Sequence, residues 1–212
     1  MSAVIVALKL AKQMPKIKAD YIGVDKGTLA LLQQHLPVTL AIGDFDSVNE
    51  EEMQQIETSV TEVIHLPCVK DDTDSEAAIQ EALRRGYDEI YLVGALGGRA
   101  DHAYVNLRLA YQHPQKIILW DEQNRMEAFT EGTYQIKKEN YTYIGFFTEE
   151  EAEISLENLK YDLTHRRLTK QDLYTVSNEV NGEEGTLTVH HGNDETFCRR
   201  SRSCAMPGLE GH

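Results

Sequence analysis

The sequence predicts an α/β fold: an N-terminal parallel-sheet α/β domain followed by an all-β sandwich domain. Three observations carry this. Up to about residue 120, short apolar runs alternate with helix-patterned stretches. Strand, loop and helix in repetition is the pattern of a parallel sheet covered by helices. From Met126 onward the helical patterns stop, and short strand-like runs are separated by turns carrying Asn and Gly.

The elements follow in chain order. Residues 1–10 contain AVIVAL, the composition of a buried strand. Residues 20–24 (DYIGV) form a second strand. Residues 28–35 have helical spacing and stop before Pro37. Residues 38–42 (VTLAI) are a strand running into GDFDS. Residues 50–58 are polar and helical. Residues 63–66 are a strand closed by Pro67. Residues 74–85 form an amphipathic helix with acids in its first turn and Arg in its last, ended by Gly86. Residues 89–93 (EIYLV) are a strand leading into GALGGRADH. Residues 103–111 are a helix ending before His113-Pro114, and residues 116–120 (KIILW) are a strand. In the second half, strands are expected at 133–137, 142–147, 153–156, 175–176 and 185–191. The boundaries fall at 1–126, 127–197 and 198–212. The last segment is an aperiodic Ser- and Arg-containing tail, natural or vector-derived, with no assigned role.

Composition limits the function. The 212 residues are 41% hydrophobic and 26% charged, as in a globular protein able to bury a core without staples. The net charge of −14 disfavours broad binding to nucleic acid or anionic membrane. No stretch approaches the roughly 20 apolar residues of a membrane span. The first apolar run is too short and interrupted for a secretory signal, so a cytoplasmic location is expected. Cys68, Cys198 and Cys204 show no CxxC spacing, which suggests neither zinc binding nor disulfides.

Carboxylates recur where strands should end. Asp25 follows YIGV, Asp44 and Asp46 follow TLAI, and Asp101 follows YLVGALGGR. Asp71, Asp72 and Asp74 precede the helix at 74–85. Open parallel sheets bind ligands outside the carboxyl ends of their strands, so these loops can share one rim. Clustered carboxylates stay ionised only beside a cation, and Mg²⁺ is the hard ion that joins carboxylates to phosphates. One of Asp72, Thr73 and Asp74 is expected to cap the helix. Arg99 can fork onto phosphate oxygens or pair with Asp101. Neither GxxxxGK[ST] nor GxGxxG is present. Trp120 is a core aromatic or a stacking surface. His102 and the pair His190-His191 lack partners at ligand spacing and are read as structural.

The motifs Gly43-Asp44-Phe45-Asp46-Ser47, Lys70-Asp71-Asp72-Thr73-Asp74-Ser75-Glu76 and Gly94-Ala95-Leu96-Gly97-Gly98-Arg99-Ala100-Asp101-His102 resemble, in this order, those of thiamine pyrophosphokinases. Asp25-Lys26-Gly27 before them and Ser177-Asn178-Glu179 after them extend the likeness over residues 20–190. The resemblance implies a homodimer that transfers the pyrophosphoryl group of ATP to thiamine with Mg²⁺, giving thiamine diphosphate and AMP. It makes residues 1–126 the catalytic, ATP- and Mg²⁺-binding domain, and 127–197 the thiamine-binding domain. It places Asp44, Asp46 and Asp71 as catalytic and metal-binding acids. It places Asp25, Thr73, Asp74, Arg99 and Asp101 at ATP, and Ser177 and Asn178 at thiamine. The proton acceptor is Asp71 or Asp46. A Mg²⁺-dependent phosphohydrolase and a catalytically impaired thiamine-binding protein are the rival readings. One departure stands out: where the family has a Gly-Gly turn after its first strand, this chain has Leu8-Lys9-Leu10.

Overall fold

The computed structural model describes residues 2–69, 71–192 and 196–201, so Lys70 and residues 202–212 of the expected tail lie outside the described residues. The chain divides into two compact units, Met1–Glu122 and Gln123–His212.

The first unit has strands β1 (Ala3–Ala7), β2 (Asp20–Val24), β3 (Val38–Gly43), β4 (Glu62–His65), β5 (Glu89–Val93) and β6 (Ile117–Trp120). Its helices are α1 (Lys26–Gln33), α2 (Glu50–Ser59), α3 (Asp74–Arg84) and α4 (Ala100–Gln112). The strands lie in the order β4-β3-β2-β1-β5-β6 and pair in parallel. Val4, Ile5 and Val6 of β1 and Ile90 and Leu92 of β5 are completely buried. Strands covered on both faces read as unbroken apolar runs, which is why these were legible. The capping reading resolves to Thr73, whose Oγ1 accepts the Glu76 N–H at 3.2 Å. Asn49 and Glu52 form a reciprocal capping box on α2. The chain fills the sheet from β1 to β4 on one side, then returns to the other side of β1 with β5. The β1/β5 junction is therefore the topological switch point, where loops at the carboxyl ends diverge and leave a crevice.

The second unit holds β7 (Asn124–Phe129), β8 (Gly132–Lys137), β9 (Tyr143–Thr148), β10 (Glu151–Glu157), β11 (Leu163–Thr169), β12 (Glu184–Gly192) and β13 (Thr196–Ser201). One antiparallel layer runs β11-β10-β12-β8, and β13 pairs antiparallel with β7 and β9 in the other. Ile136, Ile154, Leu156, Leu187 and Val189 of the first layer share a core with Phe129, Ile144 and Phe146 of the second. This is a sandwich. It differs from the expected strand list in particular places. β7 and β11 are additional strands. β13 extends regular pairing to Ser201, into the segment read as aperiodic. Residues 175–176 are not a strand: Phe146 N–H donates to the Thr175 carbonyl at 2.9 Å, but the next link is an isolated bridge between Ile144 and Asn178. Among the described residues, no helix is long and apolar enough to cross a membrane.

Candidate active site

A cleft of about 420 Å³ opens at the carboxyl edge of the first unit's sheet, lined by residues following β1, β2, β3 and β5 and by the start of α3. Asp25 follows β2 and caps α1 at a positive φ of 46°. Its N–H donates to the Ile42 carbonyl at 3.1 Å, and its Oδ1 accepts the Phe45 N–H at 3.1 Å. This contact requires a glycine at position 43, because a Cβ there would lie 1.9 Å from Asp25 Oδ1. Phe45, also at positive φ, is buried with its ring edge-on to His65. Asp44 is half-buried on one side of it and Asp46 is exposed on the other. Asp44 Oδ1 accepts the Asp46 N–H at 3.1 Å, closing an Asx turn.

Asp25, Asp44 and Asp74 each offer a carboxylate oxygen, and these oxygens lie within 4.8 Å of one another. Burial above all, and with it the charges of Asp74, Asp44 and Asp46, push the Asp25 carboxyl up to about 6 against the opposing pull of the Phe45 N–H. Three oxygen donors this close fit a hard divalent cation, which would relieve the repulsion. Of the expected metal set, only Asp44 belongs to this cluster. Asp46 and Asp71 are exposed. The turn at Phe45 breaks the strand alternation that would put Asp44 and Asp46 on one face, and Asp71 precedes the Thr73 cap while Asp74 opens the helix.

Thr73 is committed to capping, and its Oγ1 lies 3.1 Å from Ser75 Oγ. Ser75 donates to Asn106 Oδ1 at 3.0 Å, and Asn106 Nδ2 donates to the Ala95 carbonyl at 3.1 Å. This buried chain ties α3 and α4 to the loop after β5. Arg99 pairs in bidentate fashion with Asp101, Nε at 3.1 Å and Nη2 at 2.5 Å, and holds that carboxyl down to about 2. Both side chains are mostly exposed. Lys26, quoted in the sequence only within a motif and given no role, and Asn106, not quoted at all, also line the cleft. A single Lys after Asp25, or one Asn in an amphipathic helix, carries no pattern. Leu8, Lys9 and Leu10 line the cleft too. The close backbone approach at this loop is made by Gly27 instead of by a Gly-Gly turn, since a Cβ there would sit 2.0 Å from the Ala7 carbonyl oxygen. Trp120 packs on the core of the first unit.

The second unit has an apolar cavity of about 290 Å³ lined by residues including Phe146, Tyr161, Tyr174, Val176 and Asn178. Asn178 is buried, and its amide clasps the Tyr161 backbone: Oδ1 accepts the Tyr161 N–H at 2.9 Å and Nδ2 donates to the Tyr161 carbonyl at 2.8 Å. Ser177 is exposed at φ 57° and does not line the cavity.

Comparison with known proteins bears on both units. Residues 12–120 match the family model described as the catalytic domain of thiamin pyrophosphokinase, and residues 133–193 match that of its vitamin B1 binding domain. A thiamine pyrophosphokinase of Bacillus subtilis is 38% identical over 178 residues, 81% of this chain and 83% of the relative. The chain belongs to the thiamine pyrophosphokinase family. Solved structures agree. A thiamin pyrophosphokinase family protein from Enterococcus faecalis superposes with a TM-score of 0.86 at 31% identity, over 96% of this chain and all of that one. The Bacillus subtilis thiamine pyrophosphokinase structure superposes with a TM-score of 0.85 at 32% identity, over 95% of this chain and all of that one.

Proposed function

We propose that this chain transfers the pyrophosphoryl group of ATP to the hydroxyethyl oxygen of thiamine, giving thiamine diphosphate and AMP. The observation that carries the proposal is the convergence of Asp25, Asp44 and Asp74 at the carboxyl ends of β2 and β3 and the start of α3, in a chain belonging to this family. In this reading Asp25, Asp44 and Asp74 hold Mg²⁺, with Asp46 and Asp71 facing solvent beside them. The ion would bind polyphosphate oxygens and neutralise the charge that develops on them. ATP occupies the cleft, Thr73 fixes the start of α3 beneath the phosphates, and Arg99 exchanges its partner Asp101 for a phosphate. The thiamine oxygen attacks the β-phosphorus, the bond from that phosphorus to the α–β bridging oxygen breaks, and AMP leaves. The hydroxyl proton passes to Asp46 or Asp71, both of which are solvent-accessible acceptors.

Thiamine is assigned to the cavity of the second unit, where the tyrosine rings suit a cationic heteroaromatic. Asn178 shapes that cavity through Tyr161 more than by direct contact, and Ser177 is placed at its margin. A homodimer and a cytoplasmic location are part of the same proposal and rest on the family likeness. Sedimentation of a single-chain mass at micromolar concentration would contradict the dimer. Asp44→Asn tests the core of the reading: turnover should vanish while thiamine still binds in calorimetry. Wild-type turnover in that variant would overturn the metal assignment.

A further inference from the structure

The face of the β11-β10-β12 layer that carries Glu153 and Ser155 bears a constellation that neither cavity uses. Two β-bulges flank one stretch of β10. Against β11, Ile154 pairs with Arg166 and Leu156 with Leu163, so Thr164 and His165 together oppose Ser155. Against β12, Glu153 pairs with His191 and Ile154 with Val189, which leaves His190 as the extra residue. A bulge re-aims a side chain, and here each bulge delivers one histidine to the same place. His165 takes a left-handed backbone, φ 45°, to do so. The buried Ser155 hydroxyl accepts the His165 N–H at 3.0 Å and lies 2.7 Å from His190 Nε2. His165 Nδ1 is 2.7 Å from Glu153 Oε1. The two imidazoles stack with centroids 4.0 Å apart. One donor atom from each of Glu153, His165 and His190 falls within 4.8 Å of the others.

We propose that Glu153, His165 and His190 form a binding site for a divalent transition-metal ion of the Zn²⁺ class. Two imidazoles and a carboxylate are a zinc donor set and a poor one for Mg²⁺, which selects oxygen. Donors about 2.1 Å from a tetrahedral ion stand about 3.4 Å apart. Closing from the observed separation needs only rotation of exposed and half-buried side chains out of the stack. Ser155 holds one ring nitrogen of His190, the arrangement in which an outer partner orients a metal-binding imidazole. A surface ion pair between Glu153 and His165 would explain one contact, but not two bulges and a strained backbone converging on it. Sequence spacing hid the site because its ligands come from three strands. Bound metal would tie β11, β10 and β12 together and leave a coordination position for water.

The test uses the untagged full chain and Co²⁺ as a spectroscopic substitute for Zn²⁺. One equivalent of Co²⁺ should develop a tetrahedral visible spectrum that Zn²⁺ then bleaches. His190→Gln and His165→Asn should each weaken binding about a hundredfold or more, beyond the usual loss from removing an outer partner. Asn is chosen at 165 because it tolerates the left-handed conformation, and circular dichroism confirms the fold. If His165→Asn does not fold, His190→Gln decides alone. Asp44→Asn should leave the spectrum intact, which separates this site from the carboxylate cleft. Absence of a one-equivalent tetrahedral spectrum, or its persistence in the folded histidine variants, overturns the proposal.

Discussion

Asp25→Asn isolates the electrostatic tension in the carboxylate cluster. The amide keeps an oxygen to accept the Phe45 N–H but removes a charge that burial and three neighbouring carboxylates disfavour. A rise from the ordinary 3.8 to about 6 corresponds to about 3 kcal/mol if the group were fully enclosed. Asp25 is only half-buried, so solvent screening reduces this to about 1–2 kcal/mol. The sign follows from linkage. Below pH 3.8 the carboxyl is protonated in both folded and unfolded chains and contributes no difference. Between 3.8 and about 6 the unfolded chain ionises first, so the wild type loses stability as pH rises, and the full penalty persists above about 6. In EDTA at pH 7.5 the variant should therefore melt about 3–6 °C above the wild type. The gap should shrink to about a third as pH falls to 4.5 and vanish below the unfolded value of 3.8. In saturating Mg²⁺ and ATP the order should reverse, because only the wild type gains binding energy, and the variant should turn over negligibly. Differential scanning fluorimetry across pH measures all of this. A variant that melts at or below the wild type at pH 7.5 in EDTA, or a gap independent of pH, would show that the Asp25 charge is not destabilising.

Other perturbations test other parts of the site. Arg99→Lys keeps the charge but loses the planar fork, so turnover should fall about a hundredfold while the melting temperature stays put, since the Arg99–Asp101 pair is mostly exposed; the reverse pattern would make Arg99 structural. Gly43→Ala drives a Cβ into Asp25 Oδ1, so both the melting temperature and turnover should drop. Asn178→Ala leaves the Tyr161 backbone groups without their amide partner and should cost about 1–3 kcal/mol in denaturant melts, with weaker thiamine binding by calorimetry.

The parallel half was legible because its central strands β1 and β5 are buried along most of their length and α3 carries an apolar stripe. Asp20–Val24 and Glu89–Val93 are read from composition alone with their observed bounds. In the second unit, Leu163–Thr169 is an edge strand whose LTHRRLT sequence is mostly exposed, so it has no apolar period to detect. Asn124–Phe129 buries only its last three residues. The carboxylates were legible as a class, at strand ends and before α3. Which three converge was not, because that depends on positive φ at Asp25 and Phe45 and on the missing Cβ of Gly43. The histidine cluster is hidden in the sequence for a related reason: His165 and His190 are adjacent only through strand pairing and its bulges.

The cleft at the carboxyl edge is proposed to move a pyrophosphoryl group from ATP to thiamine. Chromatographic quantitation of nucleotides and thiamine esters, after incubation with ATP, thiamine and Mg²⁺, tests it most directly. AMP and thiamine diphosphate should appear in equal amounts, with no AMP without thiamine and neither product in excess EDTA. AMP released without thiamine, ADP with thiamine monophosphate, or undiminished turnover in EDTA would contradict it.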